Sequence, residues 1–292
     1  MTADFTFIGV PIDSVGRAGG TEHGPEKLRS LGLVDVVGED AGDLDVRIRG
    51  EERDPVTGIL GSPDVLSTTV AIREATAAAL SAGERPFLVG GCCTELPGAL
   101  AAARDILGRT GVAYLDGHLD LSDGNTSPTG EAADMPLSVA LGRGPAAWVE
   151  VCGGASARVE DVVPIGYRDP DEVPTFEQIA PELGTAFRPV SKDEVVSEGP
   201  ATVGKRIASD LASRAGRFWM HLDVDILGED EFPATDYLMP DGLDMAQLVA
   251  LMRPLATSKA LIGVSIGCYN PEKDPGDVYG RALVEAFRAT LI

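Results

Sequence analysis

The sequence predicts an α/β fold: a single three-layer α/β/α domain around a mainly parallel sheet of about eight strands. Three observations predict it. Short apolar runs alternate with Ala- and Leu-rich segments of helical period along the 292 residues. The runs are continuously apolar rather than alternating, as in strands covered on both faces. No Pro/Gly/Ser-rich linker and no internal repeat divides residues 1–292.

The elements follow in order. Phe5 to Val10 reads as the first strand, and Val34 to Val37 as a short second one. A helix starts near Pro25, where proline is preorganised; the loop before it, Gly19 to Gly24, is structural. Thr68 to Ala82 has few breakers and mostly good helix formers. Pro86 to Gly91 is a buried strand entering a glycine turn, and Leu96 to Leu107 is the helix after it. Val112 to Leu115 is a strand with Asp116 at its carboxyl end. Trp148 to Cys152 and Val162 to Ile165 are further strand candidates. Ala201 to Arg214 is a helix, Phe218 to Leu222 a strand ending at Asp223, and Met245 to Arg253 a helix. Leu261 to Ile266 is the last strand and Val278 to Leu291 the closing helix. Stretches 40–62, 121–135 and 226–243 are irregular, and two of them directly follow acidic clusters at strand ends, where folds of this class place their sites.

Composition narrows the partners. Lys plus Arg number 24 against 46 Asp plus Glu, a formal net charge of -22. That argues against nucleic acid or an anionic membrane as a partner and suits a small cationic or neutral molecule, or only solubility. The four cysteines, Cys92, Cys93, Cys152 and Cys268, match neither a zinc ribbon nor a secreted disulfide scaffold. No apolar run reaches the length of a membrane span, and the N-terminus does not read as a signal peptide. The expectation is a reduced, cytoplasmic protein.

The chemistry concentrates in Asp116-Gly117-His118-Leu119-Asp120 and Asp223-Val224-Asp225. In an extended segment alternate side chains share a face, so ligands at i, i+2 and i+4 can converge on one cavity. Two parallel strands delivering acids at their carboxyl ends bury clustered negative charge unless cations offset it. Four carboxylates and one imidazole form a mostly oxygen ligand set, which favours Mn²⁺ over structural Zn²⁺. Two such ions can activate water for hydrolysis. The turn Gly90-Gly91-Cys92-Cys93-Thr94 lacks the spacing and lysine of a nucleotide loop. One of its cysteines can serve as a thiolate nucleophile near a helix start or as a soft ligand on one metal. Cys152 reads as core, Cys268 as a small buried hydrophobe, and His221 as a packed residue or one behind the site.

These motifs, in this order, resemble the arginase/agmatinase (ureohydrolase) family. Ile8-Gly9-Val10-Pro11 and the Gly19 to Pro25 loop resemble its opening strand and loop. The double-glycine turn resembles its Gly-Gly-Asp-His-Ser turn, and Asp116 to Asp120 its Asp-Ala-His-x-Asp signature. His221 to Asp225 resembles its Ser-x-Asp-x-Asp signature, and Tyr269-Asn270-Pro271 the end of its last motif. The resemblance implies two Mn²⁺ ions bridged by Asp116 and Asp223, with Cys93 and Asp120 completing one site and His118 and Asp225 the other. Cys93 stands where the family normally has a metal-binding histidine, as in the branch containing the N-hydroxyarginine hydrolases. The family glutamate that pairs with a substrate guanidinium is Cys268 here, and the proton-shuttling histidine is Ala133. Glu131 or Asp134 is then the candidate for proton transfer. The resemblance places Asp171 at the substrate's amino end, and Asn125, Ser127 and Thr129 near its distal end. It also implies a trimer or hexamer.

The reading is a dinuclear manganese hydrolase cleaving a linear, non-peptide C–N bond of a modified guanidine or amidine rather than of ordinary arginine. Two others stay open: an enzyme whose Cys93 thiolate does redox or nucleophilic chemistry, and a non-catalytic metal-binding or regulatory relative.

Overall fold

The computed structural model describes residues 3–14, 19–169, 176–177 and 181–292. Eight strands form one sheet: β1 Phe5–Val10, β2 Gly38–Asp43, β3 Pro86–Gly90, β4 Gly111–Leu115, β5 Val162–Tyr167, β6 Val190–Ser191, β7 Phe218–Asp223 and β8 Leu261–Gly267. Their spatial order is β2-β1-β3-β8-β7-β4-β5-β6, and every pairing is parallel. The predicted α/β class and strand number hold.

Parallel strands need crossovers, and helices supply them on both faces. The helix after β3 runs Leu96–Leu107, and the closing one Val278–Leu291. The long helix predicted over 68–82 starts earlier, at Ser62, where Pro63 occupies the first turn. Phe87 of β3 packs edge-on between Phe5 and Phe287, joining sheet to closing helix. Two tryptophans are fully buried and hydrogen-bonded: Trp148 donates to Thr69 Oγ1 at 2.8 Å and Trp219 to Ser265 Oγ at 2.9 Å. Among the described residues, no helix is long and apolar enough to cross a membrane.

Two predicted strands are helices. Val34–Val37 forms one helical turn, and the second strand follows it at Gly38–Asp43. That strand is an exposed sheet edge of sequence GEDAGD, so it carries no apolar signal. Trp148 to Cys152 falls in a helix over Ala146–Val151, entered from Pro145. Trp148 and Cys152, four apart, are buried while Glu150 between them is exposed, which is helical rather than strand periodicity. The two-residue β6 is too short to read from sequence.

The inner strands β3, β8, β7 and β4 lie side by side. β4 connects outward to β5 while its neighbour β7 connects the other way to β8, which leaves a crevice at their carboxyl ends. Cys93, Cys268, Asp223 and Asp116 are the residues that close or follow these four strands.

Candidate metal centre

Each acidic pair is folded by its own backbone. Asp116 Oδ1 accepts the His118 N–H at 2.7 Å, and Asp223 Oδ1 accepts the Asp225 N–H at 2.9 Å. These are Asx turns, and they bring residues two apart to one side. The extended segment expected across Asp116 to Asp120 is therefore not what is found. The strand ends at Leu115, and Asp120 has a left-handed backbone with φ 48°. Its carboxylate takes a short hydrogen bond from the Tyr114 hydroxyl.

The two turns then meet. His118 Nδ1 lies 3.0 Å from Asp225 Oδ2 and 3.6 Å from Asp116 Oδ1, and the Gly117 N–H donates to Asp225 Oδ1 at 3.0 Å. On the other flank, Cys93 Sγ lies 2.7 Å from Asp223 Oδ2, 3.9 Å from Asp116 Oδ2 and 3.8 Å from Cys268 Sγ. Behind it, His221 Nε2 is 3.2 Å from the sulfur while Nδ1 is 2.7 Å from Ser265 Oγ. The His221 ring stacks on Tyr114 at 5.0 Å between centroids. Arg168 fastens the surrounding loop, donating to the carbonyls of Asp225 and Leu227 at 2.8 and 3.0 Å.

The electrostatics suit cations. Asp116, Asp223 and Asp225 are all buried. Burial, then Asp225, pushes Asp116 up to about 6. Burial, then Asp225 and Asp116, raises Asp223 well above the carboxylate range. Burial opposes charge on His118, but Asp225 and Asp116 outweigh it and raise its pKa well above the usual value. The same ion pair outweighs burial at Asp225 and lowers it. Burial lowers His221 to about 3, so it is a neutral imidazole. Three mutually raised or paired carboxylates are the environment that divalent ions relieve. Donor atoms within 4.8 Å of one another form three groups: Asp116/His118/Asp225, Cys93/Asp223/Cys268 and Cys93/Asp116/His221. The donors present thus fit a metal pair.

A cavity of about 270 Å³ opens over these groups, lined by Cys93, His118, Asp120, Asp223, Asp225 and Cys268 at its floor. Thr129, Ala133, Asp134, Asp169 and Tyr237 form its walls. Of the predicted substrate and proton-transfer residues, Thr129, Asp134 and Cys268 line it. Ser127 lies beneath; its hydroxyl and that of Thr129 both donate to Asp134 Oδ2. The Tyr237 hydroxyl donates to Glu131, which is thereby held at the rim. Asn125 is exposed and lies outside the cavity lining. Asp171 falls outside the described residues.

Sequence reasoning missed four contributors. Asp169 Oδ2 is 3.5 Å from His118 Nε2, and Tyr237 stands edge-on to the His118 ring. Tyr114 binds Asp120 from within β4. Glu95 is fully buried, and neither carboxylate oxygen has a hydrogen-bond partner among the described residues. Only Glu95 left a trace in the sequence, as an acid between a buried turn and an apolar helix.

Comparisons with known proteins bear on the chain as a whole. A family model described as "Arginase family" matches residues 3–291. An arginase of Brevibacillus brevis is 25% identical over 297 residues, covering 97% of this chain and 96% of the relative. An N(omega)-hydroxy-L-arginine amidinohydrolase of Streptomyces lavendulae is 30% identical over 212 residues, 73% of this chain and 70% of the relative. The solved arginase of Bacillus caldovelox superposes with a TM-score of 0.89 at 24% identity, covering 99% of this chain and 98% of that one, a likeness of fold.

Proposed function

Because this chain belongs to the arginase family, we propose that it is a metal-dependent hydrolase of a modified guanidine or amidine, cleaving a linear non-peptide C–N bond. One observation carries the reading. The acid–imidazole group Asp116/His118/Asp225 and the thiol–acid group Cys93/Asp223/Cys268 adjoin one cavity, which His118, Asp225, Cys93, Asp223 and Cys268 line. When bound there, two divalent ions, with Mn²⁺ in the oxygen-rich pocket, supply Lewis acidity and acidify water.

The chain's own residues would do the rest. The Asx turns of Asp116 and Asp223 fix one oxygen of each, while the second lies 3.9 and 2.7 Å from Cys93 Sγ. Asp134, its Oδ2 already accepting from Thr129 at 2.7 Å, reaches the cavity as a carboxylate able to move a proton. Glu131 is the second candidate at the rim, exchanging with the Tyr237 hydroxyl.

The lining argues against ordinary arginine. Cys268 and Ala133 line the cavity where a charged pair to a guanidinium and a shuttle imidazole would act, and a thiol does not replace a bidentate charge-assisted contact. A less basic head, as in the N-hydroxyguanidine named for the Streptomyces lavendulae relative, loses less. With Mn²⁺-loaded protein, an N-hydroxyguanidine amino acid should turn over at least about tenfold better in kcat/KM than L-arginine, the scale of one charged hydrogen bond. Urea-type product is the readout. Equal or better use of L-arginine would overturn the substrate class. Metal uptake with no product from any guanidine or amidine would favour the non-catalytic reading.

A further inference from the structure

We propose that Cys93, Cys268 and Asp223 form a thiolate pocket for a borderline ion such as Zn²⁺, so that the centre takes two unlike metals. This rests on the dinuclear reading above and says which ion goes where.

Three observations converge. The two sulfurs are 3.8 Å apart. That is too far for a disulfide, whose S–S length is about 2.05 Å. It is the edge, about 3.8 Å, of a tetrahedron with metal–sulfur bonds of about 2.3 Å. Asp223 Oδ2 accepts a hydrogen bond from Cys93 Sγ at 2.7 Å and is the third donor, which would open away from the sulfur to about 3.5 Å around an ion; the three donor atoms lie within 4.8 Å of one another.

The pocket is also built. The Cys268 N–H donates to Gly91 O at 3.1 Å, tying the loop after β8 to the turn that carries Cys93. A Cβ on Gly267 would come within 2.9 Å of the Cys92 carbonyl carbon, so the two segments are in contact. Cys268 holds a left-handed backbone at φ 69°, a conformation that residues with a Cβ seldom adopt. The surrounding packing thus holds its thiol toward Cys93. Behind Cys93, His221 contacts the sulfur and is itself fixed through Ser265 and Trp219. Such outer partners orient the ligands of metal sites.

The neighbouring group differs in kind. Asp116, His118 and Asp225 offer two carboxylates and one imidazole and no sulfur, donors that suit Mn²⁺. Thiolates favour Zn²⁺ and Co²⁺ over hard Mn²⁺. One cavity floor therefore presents a soft pocket and a hard one side by side.

The test uses chelator-stripped, reduced, full-length protein titrated with Co²⁺, followed by near-ultraviolet thiolate-to-cobalt charge transfer and by metal analysis. We expect two ions per chain and a strong band. Cys268→Ser should cut the band to about half and lower the Zn²⁺-over-Mn²⁺ preference at least about tenfold. Cys93→Ser with Cys268→Ser should abolish the band, and His118→Ala should keep the band while removing one ion. No thiolate band in the wild-type protein, or one untouched by a folded Cys268→Ser variant, overturns the pocket. Circular dichroism checks folding, and the wild-type spectrum stands as a test even if a variant fails to fold. One ion with the full two-thiolate signature would instead sustain the pocket and remove the dinuclear reading.

Discussion

Asp223→Asn should nearly abolish hydrolysis while leaving the fold intact. The substitution is isosteric and keeps the acceptor that Asp225 N–H uses at 2.9 Å. It removes the negative charge and replaces the oxygen 2.7 Å from Cys93 Sγ. In the proposed centre Asp223 would bridge the two ions, as the family resemblance implies, so both would lose a ligand. Losing an outer partner of a metal ligand costs about 10–100-fold in metal affinity or activity, and loss of a shared inner ligand should exceed that. Metal stoichiometry and kcat/KM measured on the same preparation test it. A variant within tenfold of wild type would remove Asp223 from the centre.

Glu95→Gln should stabilise the metal-free protein at alkaline pH and flatten its pH dependence. Glu95 is fully buried in the turn after Cys93, without a hydrogen-bond partner for either oxygen among the described residues. Burial, with Asp223 adding to it, raises its pKa well above the ordinary 4.5. The sign follows. The folded state keeps the proton, while the unfolded chain releases it as pH rises past 4.5. Stability is therefore full below that value and falls with rising pH until the folded group ionises, at about 1.4 kcal/mol per pH unit. Glutamine has no proton to release, so this part of the slope vanishes. Urea midpoints of both proteins at pH 5 and pH 8 measure it. Parallel slopes would show that Glu95 is already ionised in the fold.

The sequence carried the sheet because its inner strands are buried on both faces and read as apolar runs. Where burial is one-sided the signal failed. β2 is a polar edge, and Ala146–Val151 buries mainly Trp148, so a mixed apolar segment passed for a strand. The acidic pairs were legible because their spacing is local and each is closed by its own Asx turn. Asp120 was expected on an extended face with Asp116 and His118; it turns left-handed and accepts from Tyr114 instead. Asp169, Tyr237 and Ser265 enter through contacts between separate strand ends and loops. No spacing within one segment encodes such contacts. The closeness of Cys93 and Cys268, 175 positions apart, arises because β3 and β8 are neighbours in space.

The hydrogen bonds running from Trp219 through Ser265 and His221 to Cys93 have an optical consequence. The chain has two tryptophans, and Trp148 donates instead to Thr69. Trp219 is wired to the sulfur, so an ion captured there should alter indole emission without any added dye. The protein would carry its own fluorophore for the thiolate pocket, and Trp219→Phe would silence that signal while Trp148 continues to emit.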